Sequence, residues 1–391
     1  MLLGTGLVGG IMRNKVRFTA SEELICMGAG ELINITDRLS RHQNIVFPGN
    51  RHVFLYDVNR IEQKVKKYLA GLGVNILLEK RAVNTIVQNR KIKKVIFEGE
   101  EIEADVFVDA TGSAGPLGNC TKFGKGCAMC ILRCPSFGSR VSLTVKAGIR
   151  EEIGENGLGT CGSISGSCTL LPESINQDLL SELRGKGVLI IPLKDKNLPQ
   201  NLVKFKACQQ YINKEFKNNL ILLDTGHVKL MVPYFPLQHL KKVPGLENVQ
   251  FCDPLARGRG NSIRFLSIAP RHNNMKVKGI DNLFCAGEKA GLFVGHTEAM
   301  VTGVLAGHNA VRLANEKPML EFPLSTVSGR LISFAAEKQN TSMGKRLRFT
   351  FSGSIFFNKM KELGMYLTDR DKIADYIEET GFTGILDKKI N

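Results

Sequence analysis

Two hydrophobic periods alternate along this chain. Apolar residues at helical spacing open at Asp57-Val-Asn-Arg60 and run to about Leu72, and strand-like apolar runs follow at 74–78, 82–88 and 93–98. The stretch Glu103-Ala-Asp-Val-Phe-Val-Asp-Ala-Thr-Gly112 reads as a buried strand running straight into small residues, where the backbone can lie close to a ligand. Between about 136 and 251 the pattern shifts: 140–145, 187–192 and 229–233 read as strands and 177–184 as a helix. Asn282-Leu-Phe-Cys285 is again a short apolar strand, leading into the turn Ala286-Gly-Glu288. Beyond Gly291 and Gly295 a helix carries Ala299, Gly303, Ala306 and Ala310 on one face, which permits close packing on a sheet or a ligand. From Glu321 onward the chain reads as mainly helical, with elements at 325–336, 355–363 and 369–380.

The start of that glycine-flanked helix carries the first chemical signal. Its first turn, at Thr297 and Glu298, aims unpaired N–H groups and a positive dipole end past the strand, which suits a phosphate or the electron-rich end of a reduced flavin. The order of helix, strand, small β-meander and Asp109-Ala-Thr-Gly112 outlines the second half of a two-dinucleotide-fold FAD domain. Gly4-Thr-Gly-Leu-Val-Gly9 has the G-x-G-x-x-G spacing, but only Met1-Leu-Leu3 precedes it, so these glycines read as a loop after an absent strand.

Together with Gly9-Gly-Ile-Met-Arg-Asn14 and Glu22-Glu-Leu-Ile-Cys-Met-Gly-Ala-Gly-Glu-Leu32, these motifs resemble FAD-dependent oxidoreductases of the glucose-inhibited-division-protein A type. Relatives of that type modify tRNA wobble uridines or methylate tRNA uridines with folate. The resemblance covers roughly residues 1–115 and 245–315. It implies a Rossmann-like α/β FAD domain that is N-terminally incomplete, because the βαβ unit that would hold the FAD pyrophosphate is not seen. It also implies that Asp109, Ala110, Thr111, Gly112, Ala286, Gly287, Glu288, Gly295, His296 and Thr297 contact FAD. His296 and Glu298 are the candidate catalytic residues. In the relatives a nucleophilic cysteine sits in the loop corresponding to 4–14, where this chain has none.

Four cysteines are not explained by that resemblance. Cys120, Cys127, Cys130 and Cys134, the last followed by Pro135, fall in one short glycine-bearing stretch directly after the Asp109–Gly112 turn. The last three have the spacing of the end of a ferredoxin run, whereas the first gap is longer than such runs use. A [4Fe-4S] cluster, a four-thiolate zinc site and metal-free thiols all fit this pattern. Cys161 and Cys168 form a second pair in a glycine-serine loop, either a redox dithiol or an ordinary loop. Arg257, Arg259 and Arg264 suit an anionic substrate or a flavin phosphate, and His272 is a further acid–base candidate.

Bulk properties narrow the partners. The 391 residues, 43% of them hydrophobic, can build two or three domains. The chain has no apolar run long enough to span a bilayer and no signal-type N-terminus, so no membrane partner and a cytoplasmic location are expected. A formal charge of +16 favours polyanions such as RNA, although solvated basic faces produce the same total. Lys345, Arg346, Arg348, Lys359 and Lys361 crowd a C-terminal region with Phe349, Phe351, Phe356 and Phe357. The expected organisation is an FAD domain at 1–118 and 246–316, a cysteine-rich insertion at 119–135, an inserted α+β substrate domain at 136–245 and a helical region at 317–391. The first functional reading is an FAD-dependent oxidoreductase that passes electrons between flavin, the four-cysteine cluster and a small-molecule substrate or redox partner. A tRNA uridine-modifying flavoenzyme is the alternative, and a truncated fragment or cysteine-rich binding module is the non-enzymatic one. Any of these is compatible with an oligomer.

Overall fold

The computed structural model describes residues 2–3, 14–16, 19–47, 50–57, 60–78, 80, 82–112, 141–161, 163–165, 168–193, 219–231, 237–251, 262–264 and 266–390. The chain opens with β1 (Leu2–Leu3), β2 (Asn14–Val16), α1 (Thr19–Cys26), α2 (Glu31–Arg38) and the hairpin β3 (Ser40–Phe47) and β4 (Asn50–Tyr56). Then come α3 (Ile61–Gly71), β5 (Leu77–Leu78), the meander β6 (Ala82–Gln88), β7 (Lys91–Phe97) and β8 (Glu100–Glu103), and β9 (Phe107–Asp109). β1 pairs parallel with β5, and β2, β4 and β3 form an antiparallel sheet in that order.

The next part of the chain builds a separate layer. It contains α4 (Leu143–Lys146), β10 (Glu152–Ile153), β11 (Ser163–Ser165), β12 (Cys168–Leu170), α5 (Gln177–Lys186), β13 (Val188–Pro192), β14 (Asn219–Asp224), β15 (Val228–Leu230) and α6 (Leu237–Leu240). β12, β15, β14 and β13 form one antiparallel sheet. In β14 the period of two sorts side chains between two cores. Leu220 and Leu222 join a core made from 170–249, while Ile221 and Leu223 join the main core. A strand covered on both faces has no polar alternation, which is why Asn219-Leu-Ile-Leu-Leu-Asp224 escapes a search for amphipathic strands.

The chain then returns through β16 (Ser262–Arg264), β17 (Ser267–Ile268) and β18 (Leu283–Cys285) to α7 (His296–Ala314). β18 lies parallel to β9, with Cys285 opposite Asp109. It ends with α8 (Val327–Gln339), β19 (Phe349–Thr350), α9 (Ser354–Glu362) and α10 (Arg370–Glu379). These C-terminal helices do not form a separate body: Leu331, Ile332, Phe356, Ile373 and Ile377 share the main core with Ala20, Leu24 and Leu283.

Two expectations are corrected. Residues 140–145 do not form a strand over the described positions, because Ser142 Oγ accepts the Val145 N–H at 3.2 Å and Asp109 Oδ2 accepts the Thr144 N–H at 2.9 Å. Those caps favour the helical turn α4 over the β-propensity of Val and Thr. The small-residue stripe of α7 is buried only in part: Ala306 is fully buried, whereas Ala299 is exposed and a Cβ on Gly303 would meet nothing within 4 Å among the described residues. The helix contacts β9 and β18, and its buried positions there include Val301, Thr302 and Leu305 beside Ala306.

Candidate functional site

The carboxyl ends of β9 and β18 and the start of α7 meet in one place, where parallel sheets characteristically receive ligands. Left-handed glycines at Gly112 (φ 72°) and Gly287 (φ 63°) turn the chain there, and a side chain at either would be strained. The Gly287 N–H donates to Thr302 Oγ1 at 2.8 Å, and that hydroxyl donates to the Glu298 carbonyl at 2.8 Å. One threonine thus fixes the β18 turn against the first turn of α7.

Asp109 holds the other turn. It is fully buried, with Oδ1 accepting from the Thr111 N–H at 3.1 Å and the Thr111 hydroxyl at 2.6 Å. Its Oδ2 accepts from the Thr144 N–H at 2.9 Å and the Thr144 hydroxyl at 2.8 Å, with Ser142 Oγ at 3.4 Å. The carboxylate is therefore committed to protein donors, and Asp109 shapes the turn rather than offering an oxygen to a ligand. What the turn offers is the exposed Ala110 and the half-buried Thr111 and Gly112.

Ser142 Oγ also lies 2.5 Å from Glu151 Oε1, which pairs with Lys289 Nζ at 2.8 Å. The Glu151 and Lys289 side chains are 5% and 1% exposed, and the Ser267 hydroxyl donates to the second Glu151 oxygen. This buried network joins the turn Gly287–Lys289 to the segment after α4. Sequence reasoning missed it; the only local signal was a lysine directly after Glu288 in an otherwise apolar turn.

Glu298 lies inside the protein at the N-terminus of α7, 3% exposed, with Oε1 accepting the Phe351 N–H at 2.6 Å. Its side chain folds back so far that a Cβ on Gly295 would sit 2.0 Å from Oε2, and Gly295 (φ 152°) is the residue type that leaves this space. Burial pushes the Glu298 carboxyl up to about 7, only partly offset by backbone donors. Since the folded-state value lies above the ordinary 4.5, the stabilisation is complete below about pH 4.5 and is lost as pH rises to about 7. The loss is ~3 kcal/mol for a shift of this size. Urea unfolding of wild type and Glu298→Gln across pH 5–8 checks this: the curves should lie close together at pH 5 and the variant should be the more stable at pH 8. Equal stabilities at both pH values would refute the shift.

Of the remaining candidates, Glu288 and His296 lie at this place and the others do not cluster there among the described residues. His296 is half-buried beside Gly295 at the start of α7, and Glu288 is half-buried in its turn. Arg348 is buried close to Glu288, and burial lowers its guanidinium to about 10. Arg271, also buried and lowered to about 10, donates to the carbonyls of Ala290, His272 and Ile332, a structural role. His272 is exposed. Cys120, Cys127, Cys130, Cys134, Arg257 and Arg259 lie outside the described residues, and Arg264 is in β16. No group of three metal-ligating side chains occurs among the described residues. Nor is any helix there long and apolar enough to cross a membrane. Cys161 is exposed as a free thiol, and Cys168 opens β12.

The exposed Ala110 after β9, the half-buried Gly287 after β18, and a helix start with no side-chain cap on Gly295 fit a flavin laid across this edge. A family model described as Glucose inhibited division protein A matches residues 8–222 and 227–318. Among curated proteins, the methylenetetrahydrofolate–tRNA-(uracil-5-)-methyltransferase TrmFO of Aquifex aeolicus is 28% identical over 128 residues, 33% of this chain and 28% of its own length. The same enzyme of Dictyoglomus thermophilum is 33% identical over 100 residues, 25% of this chain and 22% of its own length. The matched part is thus under a third of these relatives. Among solved structures, Aquifex aeolicus GidA superposes with a TM-score of 0.62 at 14% identity, covering 97% of this chain and 72% of that one. That likeness extends the common fold across the β12–β15 layer and the C-terminal helices.

Proposed function

Because the chain belongs to the glucose inhibited division protein A family, we propose that it is an FAD-dependent enzyme that modifies a uridine of tRNA. The observation that carries this is the family match, which includes both strand ends and the start of α7. The tRNA uracil methyltransferase relatives support the RNA substrate, and the charge of +16 suits a polyanion. The weight moves accordingly from the electron-passing reading to the RNA-modifying one. An iron–sulfur cluster on Cys120, Cys127, Cys130 and Cys134 rests on their spacing alone.

Gly112, Ala286, Gly287, Glu288 and the N-terminal turn Gly295–Thr297 would hold the flavin, which when bound supplies the electron transfer that side chains do not. The protein positions it: Thr302 and Asp109 lock the two turns, and the network of Glu151 and Lys289 keeps them in register. Glu298 carries a proton through much of the neutral range at the helix end that favours negative charge. His296, the first residue of α7, is the second candidate for proton transfer. The stretch 4–14 holds no cysteine, so no thiol from it attacks the pyrimidine ring.

Anaerobic purification with added FAD, followed by a visible spectrum, iron and sulfide assay and tRNA binding, tests the reading. Flavin bands without iron, and tRNA bound more tightly than heparin at equal salt, are expected. Absence of flavin together with equal binding of both polyanions would overturn it, and roughly four irons per chain would restore the electron-passing reading.

A further inference from the structure

A second site lies where the β3–β4 hairpin meets the inserted layer. A cleft of about 290 Å³ is lined by Ser40, Arg41, His42, Asp57, Arg60, Arg184 and Asp224. Its floor is built around one buried carboxylate. Asp224, 5% exposed at the end of β14, accepts Arg41 Nε at 3.1 and 3.2 Å and the Gly226 N–H at 3.2 Å, and lies 2.8 Å from His42 Nε2. Arg41 Nη1 also lies 3.7 Å from Asp57. The hairpin and the inserted layer interlock here: Gly187 adopts φ 75°, and a Cβ on it would approach the His42 ring to 2.6 Å.

Both carboxylates of the cleft are thus engaged by its floor, whereas two of its arginines are not. Arg60 and Arg184 are exposed and form no ion pair among the described residues. Arg60 is also the N-cap of the 11-residue helix α3, and its side chain makes no capping hydrogen bond. Two guanidinium groups without an ion pair, from different layers, present donors in the fork geometry that phosphate oxygens accept.

The geometry points to a phosphate-binding site in this cleft, with Arg60 and Arg184 as its ligands. The phosphate belongs either to the backbone of an RNA or to a free nucleotide. The RNA source rests on the uridine-modifying reading; the phosphate chemistry rests on the cleft alone.

The test uses the full chain with Arg60 and Arg184 both changed to glutamine. Arg90→Gln with Lys94→Gln, on the β6–β8 meander, is a control that removes the same charge. Binding of tRNA across salt concentrations and thermal shift with inorganic pyrophosphate are measured for each, with flavin content as the check on folding. The site variant should bind tRNA ~10-fold more weakly, with the salt slope reduced by about one to two, and should lose the pyrophosphate shift. Loss of the pyrophosphate shift with unchanged tRNA binding supports the site and assigns it to a free nucleotide. No change in either assay, or an equal change in the control, overturns it. Wild type that binds tRNA no better than heparin removes the RNA reading while the pyrophosphate assay still decides the cleft.

Discussion

Replacing Lys289 by methionine is expected to lower folding stability by ~3–5 kcal/mol, because it strands the Glu151 carboxylate inside the protein. Lys289 is 1% exposed and its ammonium is 2.8 Å from Glu151 Oε1, itself 5% exposed. The hydroxyls of Ser142 and Ser267 remain as donors to Glu151, but neither carries charge. Removing both charges, as in Lys289→Met with Glu151→Leu, should recover most of the loss, since a buried ion pair and an apolar pair of similar size often differ little in stability. Urea unfolding of the two single variants and the double variant gives the coupling directly. A Lys289→Met variant within ~1 kcal/mol of wild type would mean that water reaches Glu151 and that the network is not sealed. The same series bears on the cofactor: Lys289 closes the turn that begins at Gly287, so the single variants should retain less flavin than the double variant.

That network also shows where reading by pattern stops. The Asp109–Gly112 turn, the Ala286–Glu288 turn and the helix after Gly295 were legible, because a short apolar strand followed by small residues is a local signature. The helix over 177–184 and the last three helices were legible from apolar residues at helical spacing. Glu151 and Lys289, 138 positions apart, have no local signature. Asp109 was read as a flavin contact from the family resemblance; only the fold reveals that Thr111, Thr144 and Ser142 occupy its oxygens. The hairpin of β3 and β4 went unread although it supplies Arg41 and His42 to the second cleft. Its β3 strand is interrupted by register shifts that break the alternation.

Glu23→Ala is expected to cost ~3–4 kcal/mol, because it removes one acceptor from several buried donors at once. Glu23 lies on α1 with no exposed surface. Oε1 accepts the Val327 N–H at 2.6 Å and the Tyr376 hydroxyl, and Oε2 accepts the Ser328 N–H at 2.9 Å and the Ser328 hydroxyl at 2.5 Å. Two of those donors are the first N–H groups of α8, so the carboxylate meets the positive end of that helix from a distant part of the chain. Thr326 caps only the third, through its hydroxyl and the Gly329 N–H at 3.0 Å. Burial raises the Glu23 carboxyl above its ordinary range while these hydrogen bonds pull it down. Glu23→Gln should lose less than alanine, since its carbonyl still accepts while its amide faces donors. The loss should also appear as one cooperative transition: α1, α8 and α10 contribute to the same core, so the C-terminal helices cannot melt first. Chemical unfolding followed by far-ultraviolet circular dichroism and by tyrosine fluorescence tests both points. Coincident curves displaced to lower denaturant are expected, and a separate early transition in the variant, or a displacement worth under ~1 kcal/mol, would count against Glu23 as the joint between the first helix and the C-terminal region.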